Sequence, residues 1–197
     1  MEYDFIIAGF GGQGVLLAGE VLATAFMDDG KYVTWYPSYG AEMRGGTVNC
    51  EVVMSGIEVS AVNKKEIDFL IALNQLSFDK FISKVKKGGM VIANSCLVRE
   101  IRACVDNCLA GSSSLHLPPR ADITYLFAPI TKLAESVGNI KLANVLALGI
   151  LAKASKLVSV ESLVHALEIV LPVHRRNLLP LNIEALKIGY AYDLVPV

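Results

Sequence analysis

Residues 3–17 have the sequence YDFIIAGFGGQGVLL, in which a glycine-rich turn separates two apolar runs. The first run, residues 3–8, predicts a β-strand, and the second predicts a helix that continues to about residue 28. Glycine permits a tight turn and a close approach of another group to the backbone. The start of the helix also leaves N–H groups and the positive end of a dipole available to an anion. The turn is therefore both the first fold signal and the first candidate site.

The glycines of this turn match half of a known fingerprint. The spacing Gly9-x-Gly11-x-x-Gly14 is the dinucleotide-binding pattern, which also expects an acidic residue about 20 positions further on. Residues 34–38 are TWYPS and supply no carboxylate at the end of the second predicted strand, so ordinary NAD binding is disfavoured. A tight turn without a ligand, an anion site and a contact with another chain stay open.

Composition favours one globular domain over residues 1–197. Of the 197 residues, 53% are hydrophobic and 19% are charged, which excludes a disordered chain and suggests buried subunit contacts. The net charge of −1 excludes a bulk field for nucleic acid or an anionic membrane. The N-terminus has no basic leader, and the longest uncharged apolar run, residues 142–152, is too short to cross a bilayer. We expect a cytoplasmic protein.

The four cysteines do not have the spacing of a metal site. Cys50, Cys96, Cys104 and Cys108 form no CxxC pair and no ferredoxin-like series. Cys104 and Cys108 would share one face of a helix, but that alone does not make a metal site. We therefore predict no zinc or iron–sulfur site in this chain alone, and mostly buried, reduced thiols.

Strands alternate with helices in the first part of the chain, and helices dominate the last part. We predict further strands at residues 32–36, 48–54, 67–73, 90–93 and 123–128, with residues 57–62 pairing back as a hairpin. Helices are predicted at residues 78–85, 130–137, 139–156, 160–170 and from 177 or 180 to 190. This order predicts an α/β fold: a single doubly wound, Rossmann-like domain with a mostly parallel sheet and a helical C-terminal layer.

A second candidate site is the loop at residues 37–47, PSYGAEMRGGT. Arg44 precedes Gly45 and Gly46, so its guanidinium and nearby backbone N–H groups suit a phosphate or a carboxylate. An Arg44–Glu42 pair or an interchain ion pair would order the loop equally well. Since the second strand lies beside the first in most doubly wound sheets, we expect this loop near the glycine turn.

The histidines and the arginines beside one of them are weaker candidates for a binding site. The cluster His174-Arg175-Arg176 fits a solvated or interchain face better than an anion site. His116 and His165 have no cysteine or carboxylate at ligand spacing, so we expect both at the surface or in packing contacts.

Three stretches together resemble one family. Residues 9–15, GFGGQGV, residues 38–46, SYGAEMRGG, and residues 139–144, NIKLAN, are similar to the gamma subunit of 2-oxoacid:ferredoxin oxidoreductases, over nearly the whole chain. The second stretch looks more like the 2-oxoglutarate or branched-chain 2-oxoacid members than the pyruvate members. The resemblance implies a part in the oxidative decarboxylation of a 2-oxoacid, with coenzyme A and ferredoxin.

The resemblance also implies a supporting role, with no catalytic or metal-binding residue in this chain. Thiamine diphosphate and Mg²⁺ would be held by alpha and beta partners, and iron–sulfur clusters by beta and delta partners, with ferredoxin reached through the complex. No nucleic acid or membrane partner is expected, and the isolated chain could form a homodimer. The residues expected at a subunit interface or near coenzyme A are Gly9, Gly11, Gly12, Gln13, Gly14, Tyr39, Glu42, Arg44, Gly45 and Gly46. The alternatives are a free-standing dinucleotide-binding reductase and a stand-alone interaction module.

Overall fold

A computed structural model describes residues 1–39, 47–58, 65–98 and 120–193. These residues contain six strands: β1 (Glu2–Phe10), β2 (Tyr32–Tyr39), β3 (Thr47–Ser55), β4 (Ile67–Ala72), β5 (Val85–Asn94) and β6 (Thr124–Ala128). They also contain six α-helices: α1 (Val15–Asp28), α2 (Gln75–Phe81), α3 (Ile130–Ser136), α4 (Ala143–Ser155), α5 (Val160–Val170) and α6 (Leu179–Ala191). Short 3-10 turns cover Ile82–Lys84, Ile140–Leu142 and Val173–Leu178.

The strands form one sheet in the order β2-β3-β1-β4-β5-β6. Strands β1, β4, β5 and β6 are parallel, whereas β3 is antiparallel to both β1 and β2. The predicted α/β fold with a mostly parallel sheet is confirmed. The expected adjacency of β1 and β2 is wrong, because β3 returns from β2 as a hairpin and lies between them.

Alternation along β1 divides the core into two layers. Phe5 and Ile7 face a large apolar cluster built with α1, α4, α5 and α6. Ile6 and Ala8 face the opposite layer, which includes Phe78 and Phe81 of α2 and its 3-10 extension. Because successive side chains of a strand point to opposite faces, a central strand buried on both faces is apolar nearly throughout. Helices therefore cover both faces, and the larger layer contains the C-terminal helices.

The segment predicted to pair back on β3 is not paired with it in the part that the structure describes, residues 57 and 58. β3 pairs with β1 over residues 47–55 and with β2 over residues 48–55, so both of its edges are occupied. Residues 59–62 of the predicted hairpin lie outside the described residues. The strand predicted at residues 90–93 begins earlier, at Val85, and its register against β4 shifts between the pairs Ile67↔Val85 and Phe69↔Met90. The helix predicted at residues 78–85 begins earlier, because the Asn74 side chain accepts a hydrogen bond from Ser77 N–H at 2.9 Å and caps α2.

The C-terminal layer is held together by close helix packing. Gly149 of α4 and Gly189 of α6 face each other's helix backbone, and a Cβ added at Gly149 would lie 2.8 Å from the backbone nitrogen of Tyr190. The absence of side chains at these two positions lets the helix axes approach, and α4 is buried on every side over residues 143–152. Helix α5 begins as predicted, with the Ser159 side chain accepting from Ser162 N–H at 2.9 Å. Within the described ranges, the helices are too short or too polar to cross a membrane.

Candidate functional site

The parallel strands β1, β4, β5 and β6 all end at one edge of the sheet, here called the carboxyl edge. Polar side chains follow each strand there: Gln13 after β1, Asn74 after β4, Asn94 at the end of β5 and Thr131 after β6. Open α/β sheets bind ligands at this edge. In this protein the side chains bond to one another and to the backbone of the glycine turn.

The Gln13 side chain accepts a hydrogen bond from the backbone of its own turn. Its Oε1 accepts hydrogen bonds from Phe10 N–H at 2.6 Å and from Asn74 Nδ2 at 3.2 Å, while its Nε2 lies 3.5 Å from the Leu73 carbonyl oxygen. The amide oxygen therefore occupies the position beside Phe10 N–H that a phosphate oxygen would need. A ligand at this N–H must first displace Gln13.

Gly9 and Gly14, the first and last glycines of the pattern, lie against the side-chain amides of Gln13 and Asn144. A Cβ at Gly9 would lie 2.6 Å from Gln13 Oε1. Gly14 adopts the left-handed conformation with a φ of 71°, and its carbonyl accepts from Asn144 Nδ2 at 2.9 Å. A Cβ at Gly14 would lie 2.5 Å from that same Nδ2. Contacts with Gln13 and Asn144 within the chain therefore account for glycine at positions 9 and 14, and no ligand is needed to explain them.

The tip of the turn is more open than its ends. Gly12 is exposed with a φ of 101°, and no heavy atom lies within 4 Å of a Cβ placed there. Gly11 is half-buried. Helix α1 follows with no acidic residue in its first turn and no side-chain cap at Gly14. The tip is thus the part of the turn that another molecule can reach.

Asn94 connects the other strand ends. It is fully buried, and its Nδ2 donates to the Leu73 carbonyl at 3.3 Å and to Thr131 Oγ1 at 2.8 Å. Its Oδ1 accepts from Cys96 N–H and from Thr131 N–H, each at 3.3 Å. The side chain satisfies all its donors and acceptors and joins the ends of β4 and β5 to the start of α3. The strands predicted at residues 67–73 and 90–93 end directly before Asn74 and Asn94, but the sequence did not show this network or its link to Thr131.

The pairing of β2, β3 and β1 places the described ends of the second candidate segment. Phe10 pairs with Thr47, so Thr47 lies beside the turn, whereas Tyr39 pairs with Val48 and is separated from β1 by β3. Of the predicted site residues, Tyr39 is placed by its backbone at the end of β2. Glu42, Arg44, Gly45 and Gly46 lie outside the described residues.

The described cysteines have the properties of packing residues rather than of metal ligands. Cys50 is fully buried, its Sγ lies 3.4 Å from the Val15 carbonyl oxygen, and burial raises the pKa of the thiol to about 12. At neutral pH it is a neutral side chain and a poor metal ligand. Cys96 is half-buried, and Cys104 and Cys108 lie outside the described residues. Across the described ranges, no three His, Cys, Asp or Glu side chains are grouped to hold a metal ion.

The remaining candidates lie away from the carboxyl edge. His165 is exposed on α5, with its Nδ1 2.8 Å from Asp28 Oδ2, which agrees with the predicted surface position. Residues 174–176 are exposed in a 3-10 turn before α6. His116 lies outside the described residues.

Comparison with protein families gives one match over nearly the whole chain. Residues 4–192 match the family described as pyruvate ferredoxin/flavodoxin oxidoreductase. The 2-oxoglutarate synthase subunit KorC of Methanocaldococcus jannaschii is 33% identical over 171 residues, which are 85% of this chain and 82% of that protein. The ketoisovalerate oxidoreductase subunit VorA of Methanothermobacter thermautotrophicus is 49% identical over 89 residues, which are 45% of this chain but only 19% of VorA. The matched part is thus a small fraction of that longer relative.

Solved structures share the fold. The gamma subunit of a keto/oxoacid ferredoxin oxidoreductase from Geobacter sulfurreducens is 30% identical, with a TM-score of 0.75 over 96% of this chain and 95% of that one. The pyruvate oxidoreductase subunit PORC from Thermotoga maritima has a TM-score of 0.76 over 99% of this chain and 98% of that one; at 19% identity it supports the fold alone.

Proposed function

Because the chain belongs to the pyruvate ferredoxin/flavodoxin oxidoreductase family, we propose that it is the gamma subunit of a heteromeric, cytoplasmic 2-oxoacid:ferredoxin oxidoreductase. The complex oxidatively decarboxylates a 2-oxoacid to an acyl-CoA and passes the electrons to ferredoxin. Two relatives of similar length support this proposal: KorC is named as a 2-oxoglutarate synthase subunit, and the Geobacter chain as a gamma subunit.

In this proposal the chain supports assembly and does not perform the chemistry itself. The observation behind it is the pairing of Phe10 with Thr47 at the carboxyl edge, which places the start of β3 beside the glycine turn. Gln13 and Asn144 hold the turn in one shape, so the turn presents a fixed surface to a partner. A preorganised surface binds more tightly because less conformational freedom is lost on binding.

The cofactors of the proposed complex belong to its other chains. Thiamine diphosphate, Mg²⁺ and the iron–sulfur clusters are held by alpha, beta and delta subunits.

Coenzyme A enters beside the loop that contains Arg44. The guanidinium of Arg44 contacts either a phosphate of coenzyme A or a carboxylate of a partner subunit, because its planar fork suits both groups. Glu42, Gly45 and Gly46 lie within the same loop, and Tyr39 precedes it.

The substrate of the proposed complex is 2-oxoglutarate or a branched-chain 2-oxoacid. Support is divided, because the long match is to a 2-oxoglutarate synthase subunit and the more identical, shorter match is to a ketoisovalerate oxidoreductase subunit. Turnover with each acid distinguishes the two.

The test is reconstitution with and without this chain. The chain is co-expressed anaerobically with the alpha, beta and delta subunits from the same host, and reduction of ferredoxin is followed with each 2-oxoacid and coenzyme A. We expect turnover with one acid class, and loss of turnover or of assembly when the chain is omitted. Full activity in a stable complex that lacks the chain would overturn the proposal.

Arg44→Ala separates the two roles of the loop. A phosphate contact predicts an intact complex with a raised KM for coenzyme A, whereas an interchain carboxylate contact predicts loss of subunits. Lys31→Ala, which removes an exposed cation directly before β2 at the opposite edge of the sheet, is the control and should change neither. An Arg44→Ala complex with normal assembly and normal KM would remove Arg44 from the site.

A further inference from the structure

Helix α6 packs on α4 through one face and presents the opposite face at the surface. The packed face contains the buried residues of the helix, among them Gly189, which lies against the backbone of Leu146 in α4. An open concavity of about 470 Å³ lies along the other face, and the described residues that line it are Pro180, Ile183, Glu184, Lys187, Ile188 and Ala191. Because an α-helix has about 3.6 residues per turn, these spacings of three and four place all six residues on one side of α6.

This outer face of α6 combines apolar side chains with one acid and one base. Ile183 and Ile188 are half-buried, whereas Glu184 and Lys187 are exposed. Among the ion pairs of the described residues, none includes Glu184 or Lys187, although the two are only three positions apart on the helix. Both charges are therefore available to a partner molecule, and the two together give the outer face no net charge.

The outer face of α6 is complementary to itself. Positions 180 and 191, 183 and 188, and 184 and 187 are each symmetric about the midpoint between residues 185 and 186. A two-fold axis through that midpoint and perpendicular to the helix makes α6 antiparallel to α6 of a second copy. Glu184 of each copy then lies level with Lys187 of the other, and the two-fold symmetry forms this contact twice.

We propose that the outer face of α6 is a homodimer interface, in which two copies of this chain pair their α6 helices antiparallel. A second copy supplies a cation for Glu184 and an anion for Lys187 at the same time. A uniformly acidic or uniformly basic partner would oppose one of the two charges, and such opposition suppresses wrong partners. The inference goes beyond the proposed function, because it concerns contacts between two copies of this chain.

Charge reversal at one position tests the pairing. Glu184→Lys gives the outer face two cations and Lys187→Glu gives it two anions, so each variant opposes its own copy across the two-fold axis. Sedimentation velocity of the full-length chain over a concentration series measures the Kd of the dimer. We expect each single variant to raise that Kd about tenfold or more, because like charges then meet at both symmetric contacts.

Restoring opposite charges should restore the dimer. An equimolar mixture of the Glu184→Lys and Lys187→Glu chains places two cations against two anions, so we expect a heterodimer with a Kd near that of the wild type. The double variant Glu184→Lys/Lys187→Glu keeps the self-complementary order and should also dimerise like the wild type. Native mass spectrometry distinguishes the heterodimer from either homodimer by mass.

The matched controls are charge reversals on the opposite face of the sheet. Asp79 and Lys80 are exposed neighbours on α2, which packs on the smaller core layer. Asp79→Lys and Lys80→Glu should leave the Kd of the dimer unchanged. Thermal unfolding of every variant checks that a change in Kd does not arise from a loss of folded protein.

The outcomes of this experiment are independent of the reconstitution that tests the proposed function. Weaker dimers of the single variants, recovery in the mixture and unchanged controls would support the interface on α6. A wild-type chain that stays monomeric at its highest soluble concentration would overturn it. A dimer that the single variants do not weaken, or that the mixture of folded variants does not restore, would also overturn it.

Discussion

Replacing Gly14 by alanine tests whether the chain's own packing explains the last glycine of the turn. The φ of 71° is unfavourable for a residue with a Cβ, and that Cβ would lie 2.5 Å from Asn144 Nδ2 and 2.9 Å from Asn144 Cγ. The left-handed backbone costs about 1–2 kcal/mol. Displacing the buried amide from the Gly14 carbonyl costs about 1–3 kcal/mol more.

Together these costs predict that Gly14→Ala lowers the free energy of unfolding by about 2–5 kcal/mol. Asn144→Ala alone should cost about 1–3 kcal/mol, because it leaves the Gly14 carbonyl without its partner. In the Asn144→Ala background the clash is absent, so Gly14→Ala should cost only the backbone component of about 1–2 kcal/mol. The two substitutions should therefore couple by about 1–3 kcal/mol.

Urea unfolding of the four proteins in this cycle measures the coupling, and each kcal/mol should also lower Tm by about 2–4 °C for a chain of this size. Gly12→Ala is the matched control, since Gly12 also has a positive φ but no heavy atom near a Cβ. Its cost should be the same with and without Asn144. Strict additivity of Gly14→Ala and Asn144→Ala would refute the packing explanation.

Two further predictions concern the core. Gly149→Ala should lower the free energy of unfolding by about 1–3 kcal/mol or more, because its Cβ would meet the backbone of α6. Gly56→Ala is the control and should be nearly neutral in the same urea titration, because no heavy atom lies within 4 Å of a Cβ placed there. Equal effects of the two substitutions would contradict the close contact between α4 and α6. Cys50 should resist alkylation in the folded protein at about pH 8, where the half-buried Cys96 reacts, and both should react in denaturant, as mass spectrometry can show. Rapid alkylation of Cys50 in the native protein would contradict its burial. Burial raises the pKa of the Cys50 thiol from 9.0 to about 12, so its contribution to the free energy of unfolding is full below pH 9.0 and is lost as the pH rises from 9.0 to about 12.

Hydrophobic patterns predicted most of the elements but not the strand order. The nearly continuous apolar character of residues 67–72, interrupted by Asp68, and of residues 90–93 follows from burial on both faces, which is why these parallel strands were recognisable. The insertion of β3 between β1 and β2 was not recognisable, because an apolar pattern marks a buried strand but does not show which strands it pairs with or in which direction. Thr47 lies beside the glycine turn through the pairing of β3 with β1, whereas the loop residues 40–46 lie outside the described residues.

The glycine pattern located the turn but did not explain it. Spacing alone could not show that Gln13, within the pattern, fills the position beside Phe10 N–H. Nor could it show that Asn144, 130 residues away, requires glycine at position 14. Such contacts depend on tertiary structure. The only indication of them in the sequence is that the amide side chains of Gln13, Asn74 and Asn94 each follow a predicted strand.

Anaerobic purification of the tagged chain from its native host, with the absorbance spectrum of the eluate, tests whether this chain is a subunit of a 2-oxoacid:ferredoxin oxidoreductase. We predict co-purifying alpha and beta subunits and a broad absorbance band at about 400 nm from their iron–sulfur clusters. A colourless, solitary chain that binds NAD(H) would contradict the proposed function.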